Sequence, residues 1–166
     1  MMHRALKLLK AFLHNRSCVM DIKEMLEPEL VKFSFKSDTK EEAIEKIVDL
    51  MNENGYLSDK EQYLKDVYAR EAETATGMGM GLAIPHARSA GVKKTCFSLI
   101  HLEKKIKWES LDDQPVEFII MLAVPKDENS EFLSLLSGLS MKLVDDEFRE
   151  NLYAAQTIED VYQIFE

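Results

Sequence analysis

The feature that most constrains this chain is the run Phe118-Ile-Ile-Met-Leu-Ala-Val-Pro125. It is far shorter than the roughly 20 apolar residues a membrane-crossing helix requires, which argues against direct membrane insertion. It reads instead as a strand buried in the interior of a sheet, and Pro125, which cannot donate to a ladder, marks its end. Around it, Val116–Val124 and Thr95–Leu102 have strand composition and length, and Ile106-Lys-Trp108 is expected to add a short edge strand.

Helical periodicity occupies both ends of the chain. Thr39-Lys-Glu-Glu42 has the spacing of a capping box, and Ala43, Ile44, Ile47, Val48 and Met51 follow on one face before Gly55, which predicts a helix over about 40 to 53. Ser58-Asp-Lys-Glu61 repeats the signal ahead of Tyr63, Leu64, Val67 and Tyr68, so a second helix is expected to run to about Arg70. Beyond Asn129, Phe132, Leu133, Leu135, Leu136, Leu139 and Leu143 form a broad apolar face. Phe148 and Leu152, then Ile158, Val161, Ile164 and Phe165, predict two more short helices. Two helices, a group of strands and further helices favour an α/β fold, a layered sheet under helical cover.

Composition narrows function. With 166 residues, 46% of them hydrophobic, the chain can bury one proper core. A net charge of -9 repels a phosphate backbone, so nucleic acid is not an expected partner. Cys18 and Cys96 have no CxxC spacing; neither a disulfide framework nor a thiolate zinc site is indicated, and a reducing cytoplasm fits. Residues 1–19 hold Arg4, Lys7, Lys10 and Arg16 without an acid and read as a basic N-terminal extension, with the functional domain spanning 20–166. Lys7 and Lys10 interrupt the apolar run that a secretory signal would need.

The chemistry concentrates between the second helix and the strands. Gly77, Gly79 and Gly81 alternate in a segment expected to be a loop, followed by Leu82-Ala-Ile84, Pro85 and then His86 at a strand end. Gly81 is followed by Leu82 rather than Lys, and Leu82 stands where a dinucleotide fingerprint needs glycine, so nucleotide binding is disfavoured. What remains is a histidine beside a stiff proline and near backbone amides that could face an anion, with Thr76, Gly77 and Gly79 as the amide-bearing candidates. A neutral imidazole nitrogen is a good nucleophile near pH 7, and its phosphoramidate can pass the group on; such a carrier needs no metal and no cofactor. Arg70, at the end of the second helix, is the candidate for stabilising phosphate charge. His101 reads as a structural or surface histidine on a strand, and Trp108 with the acids from Glu109 to Asp113 as a turn and solvated surface.

The stretch from Glu71 to Ala87 resembles the signature of the fructose/mannitol-type IIA components of the bacterial phosphoenolpyruvate-dependent sugar phosphotransferase system. Glu71 takes its acidic or amide position, Met78 its aliphatic one, Gly79 its small one, and Leu82-Ala-Ile-Pro-His-Ala87 the run that ends at the active histidine. Arg70-Glu71 before Thr76-Gly77, Leu111-Asp-Asp-Gln-Pro-Val116, Ala123-Val-Pro125 and Asp146-Glu-Phe-Arg149 extend the likeness over roughly Met20 to Glu166. The resemblance implies a single mixed β-sheet flanked by helices on both faces. It also implies a phosphohistidine at His86, formed from the histidine carrier protein and delivered to a IIB domain, with Arg70 as supporting arginine. Phe132 falls where the family usually places a second histidine, which implies a slower transfer, a transfer that relies on another group, or a regulatory branch in which the state of His86 is a signal.

Overall fold

The computed structural model describes residues 22–166, so the basic extension, with Cys18, His3 and His14, lies outside the described residues. Two short 3-10 turns, Ile22–Met25 and Pro28–Leu30, lead into strand β1 (Val31–Phe35). Helices α1 (Lys40–Glu53) and α2 (Lys60–Glu73) come next, followed by β2 (Gly77–Gly79), β3 (Leu82–Ala83), β4 (His86–Ser89), β5 (Cys96–Ile106) and β6 (Val116–Pro125). Helices α3 (Asn129–Val144), α4 (Asp146–Ala154) and α5 (Ile158–Ile164) close the chain.

The six strands form one sheet in the order β1-β5-β6-β3-β2, with β4 also paired to β6. It is mixed: β5–β6 and β2–β3 are antiparallel, whereas β1–β5, β3–β6 and β4–β6 are parallel. The apolar run expected to be a buried strand is β6, covered on both faces. Ile119, Met121 and Ala123 join the core made with Ile44, Ile47, Met51, Tyr63 and Val67 of α1 and α2. Phe118, Ile120 and Leu122 join the opposite core with Leu135, Leu139, Leu152 and Val161 of α3, α4 and α5. Period-two alternation thus feeds both layers from one strand, and each fully buried Ile, Leu, Met or Phe among them contributes about 1.5–3 kcal/mol, Ala123 less.

Several local expectations are corrected. Helix α1 has the predicted bounds, and Thr39 caps it by accepting from Glu42 N at 3.1 Å, but the Glu42 carboxylate accepts from Asp38 N rather than closing back on Thr39. The N-cap of α2 is Asp59, not Ser58: its carboxylate accepts from Gln62 N at 3.0 Å. Both Ser58 N and Asp59 N donate to Gly91 O, and a Cβ on Gly91 would lie 2.2 Å from Asp59 O. That close approach presses the turn after β4 onto the start of α2. Ile106 ends the long strand β5 and pairs with Val116, so it belongs to a hairpin and no separate edge strand runs to Trp108. On α3 the apolar face is narrower than expected, because Leu133 is exposed.

The glycine segment forms a tight hairpin instead of a loop. Gly79, Met80 and Gly81 take three successive positive φ angles of 87°, 58° and 79°. Asp112 clamps the tip by accepting from Met80 N at 2.7 Å, and Tyr153 donates its hydroxyl to Met80 O.

Candidate functional site

His86 opens β4 opposite Leu122 of β6, and the hydroxyl of buried Tyr63 donates to Leu122 O at 2.8 Å, tying α2 to this point of the sheet. Among the described residues β4 pairs only with β6, and side chains of α2 and α3 meet beside it. A cleft of about 380 Å³ lies there, lined by Asp66, Ala69, Arg70 and Glu73 of α2, His86, Ala87 and Arg88 of β4, and Phe132 and Leu136 of α3.

His86 is 9% exposed. Its Nδ1 lies 2.7 Å from Ile84 O. A carbonyl oxygen can only accept, so Nδ1 carries the proton and Nε2 keeps its lone pair. Pro85 sets this contact up by fixing the backbone between the two residues. Burial pushes the histidine pKa below its ordinary value; the Ile84 hydrogen bond opposes this and the charge of Arg70 adds to it. The neutral, nucleophilic ring is the favoured form near neutral pH.

Arg70 donates to Thr74 O at 2.8 Å at the end of α2 and also lines the cleft, so it satisfies a helix-terminal carbonyl while leaving further N–H donors for an anion. The helix runs one turn past the expected end because Glu71 is a buried polar residue that hydrophobic periodicity does not register. Its carboxylate accepts from Thr76 N, Thr76 Oγ1 and Trp108 Nε1 and pairs with Lys40 Nζ at 2.9 Å. Burial alone would raise its pKa, but the hydrogen bonds from Thr76 and Lys40 outweigh burial and hold it below the usual carboxylate range. Trp108, expected on a solvated surface, is therefore buried, because its indole N–H has a buried anion to serve.

The structure brings His86 and Arg70 together and leaves Thr76, Gly77 and Gly79 off the lining of the cleft. Thr76 is engaged with Glu71, a Cβ on Gly77 would collide with Glu109 O, and one on Gly79 would meet the Asp112 carboxylate. Arg88 was missed by sequence reading; its signal was the strand alternation His86-Ala-Arg88, which sends side chains two apart to one face. Phe132 lies against His86, ring centroids 5.7 Å apart. His101 is half-buried, its ring 5.5 Å from that of Phe118.

A sheet covered by helices on both faces, with a buried histidine and two guanidinium groups lining a cleft at its edge, defines an α/β domain with an anion-compatible site. The chain matches over residues 24–166 the family model described as "Phosphoenolpyruvate-dependent sugar phosphotransferase system, EIIA 2", and it belongs to that family. It is 34% identical over 146 residues to a fructose-specific EIIA component of Haloferax volcanii, covering 86% of this chain and 95% of that protein. It is 32% identical over 145 residues, 87% of this chain, to a fructose-specific EIIABC component of Bacillus subtilis, of whose length it spans 23%. The fold is shared with nitrogen regulatory protein IIA-Ntr of Neisseria meningitidis, TM-score 0.76 and 28% identity, covering 87% of this chain and 99% of that one. Among the described residues no helix is long and apolar enough to cross a membrane.

Proposed function

We propose that this domain is a phosphoryl carrier of a sugar phosphotransferase system, in which His86 accepts phosphate from the histidine carrier protein and passes it to a IIB domain. The observation that carries the reading is the hydrogen bond from His86 Nδ1 to Ile84 O, which reserves Nε2 as the nucleophile of a ring lining a cleft with Arg70. In transfer, the Nε2 lone pair forms the bond to phosphorus as the bond from phosphorus to the donor ring nitrogen breaks and its electron pair stays on that nitrogen. A donor ring protonated on its other nitrogen leaves as neutral imidazole, and His86 becomes a phosphorylated imidazolium that keeps its Nδ1 proton and still donates it to Ile84 O. No proton enters or leaves, so the cleft need only orient the phosphoryl oxygens and balance their charge, for which Arg70 is placed.

Incubation with phosphoenolpyruvate, enzyme I and the histidine carrier tests this directly. Acid-labile label is expected on the native protein and none on His86→Ala; label that survives the substitution overturns the reading. Similarity along nearly the whole of a nitrogen regulatory protein, together with Phe132 against the reactive ring, favours one second reading: a regulatory module whose phosphorylation state controls a partner protein. Onward transfer to candidate IIB domains separates the two, since a regulator gives little.

A further inference from the structure

We propose that Arg88 is a second phosphoryl-binding cation of this cleft, held over the face of Phe132 so that it and Arg70 approach the phosphoryl oxygens from the α3 and α2 sides. The inference rests on His86 being the phosphoryl acceptor, and it assigns to that acceptor a partner outside the helix that carries Arg70.

Three observations carry it. The guanidinium carbon of Arg88 lies 5.7 Å from the centre of the Phe132 ring, the same ring that His86 packs against at 5.7 Å. Phe132 is thus a shared platform: it cannot donate a hydrogen bond, but its π face attracts a cation and fixes the plane of the guanidinium. Arg88 Nη1 donates to Asn129 Oδ1 at 2.8 Å, which anchors one arm of the fork and leaves the remaining N–H donors free to meet anion oxygens. Finally, the charge of the lining depends on it. Asp66 and Glu73 share the cleft with Arg70 and Arg88, so the walls are balanced with Arg88 present and carry a net negative charge without it. A phosphoryl dianion brought beside His86 would then face two carboxylates and one guanidinium. Arginine rather than lysine suits the task, because a planar fork on an aromatic face is already oriented.

The test uses two donors, phosphoramidate as a chemical one and the phosphoenolpyruvate, enzyme I and histidine carrier chain as the protein one. Arg88→Gln is expected to take label on His86 roughly 10- to 100-fold more slowly from both, with Arg88→Lys recovering part of the rate. The phosphorus-31 resonance of the phosphorylated protein is expected to shift in Arg88→Gln, a change that a residue merely supporting the fold would not produce. Because Arg88 is exposed, the variant is expected to melt with the native protein. Label uptake within about twofold of native from both donors, with an unmoved phosphorus resonance, overturns the proposal. Absence of His86-dependent label in the native protein itself would instead sink the carrier reading, and this inference with it.

Discussion

The two walls of the cleft are built on different principles. The α2 wall is polar and braced from behind: Arg70 is bound to Thr74 O, and the adjacent Glu71 is locked to Thr76, Trp108 and Lys40. Lys40 in turn reaches Glu109 at 2.8 Å and stands over the Trp108 ring. The α3 wall is apolar and lightly held. Glu128 offers no side-chain cap to the helix, and Phe132 is half-buried, with the His86 ring on one side and the Arg88 guanidinium over its face. A buried, fully hydrogen-bonded network fixes one geometry, whereas an aromatic contact tolerates adjustment. One wall sets the position of a cation; the other offers a surface against which groups can shift.

Substitutions can break this contrast. Glu71→Leu is expected to have the largest effect, a loss of about 3–5 kcal/mol in chemical denaturation, because it orphans Trp108 Nε1 and both Thr76 donors and strips Lys40 of a buried partner. Glu71→Gln should recover much of it. Arg70→Gln is expected to slow label uptake by roughly a hundredfold, about 2.7 kcal/mol, with little change in melting, since it removes charge from the cleft and only one exposed hydrogen bond. At the small end, Phe132→Leu on the α3 wall should cost only about 0.5–1 kcal/mol of stability. A loss there as large as that of Glu71→Leu would erase the distinction between the walls.

Acid sharpens the same comparison. The folded-state pKa of Glu71 is depressed, so its contribution is present above the unfolded carboxylate value near 4.5 and is lost as pH falls through the lower folded value. Stability should decline below pH 4.5, and less steeply in Glu71→Gln. The pKa of His86 is also depressed, but the sign differs: below about pH 6.5 the unfolded chain takes up this proton before the folded one does, so His86 begins to cost stability there. Proton titration by NMR should place its midpoint below 6.5. The neutral fraction at pH 6 should exceed the roughly one quarter of an ordinary histidine, and a midpoint at or above 6.5 would contradict the burial argument.

Much of the scaffold was legible because it depends on short-range patterning. The bounds of α1 followed from Thr39 and a five-residue apolar stripe, and β6 from an uninterrupted apolar run. Less legible were elements whose reasons lie elsewhere in the chain. The cap of α2 moved from Ser58 to Asp59 because Gly91, far along the sequence, takes both backbone N–H groups. Gly77, Gly79 and Gly81 announce unusual backbone but not its use; their role was set by Glu109, Ser110 and Asp112 packed against the hairpin. Trp108 looked like surface because its partner, Glu71, is a charged residue that periodicity treats as solvent-facing.

The sequence by itself determined the α/β class, the candidate histidine His86 and one candidate cation, Arg70, because period, proline stiffness and motif spacing are local properties of the chain. Only the tertiary structure decided which groups share the cleft. It placed Arg88 and Phe132 beside His86, moved Thr76, Gly77 and Gly79 away from the lining, and joined half-buried Lys40 to buried Glu71 and Trp108 in one network. The physical reason is distance: charge pairing, aromatic contact and desolvation act over a few ångströms between residues tens of positions apart, and only the packing of α2 and α3 against β4 brings them within that range.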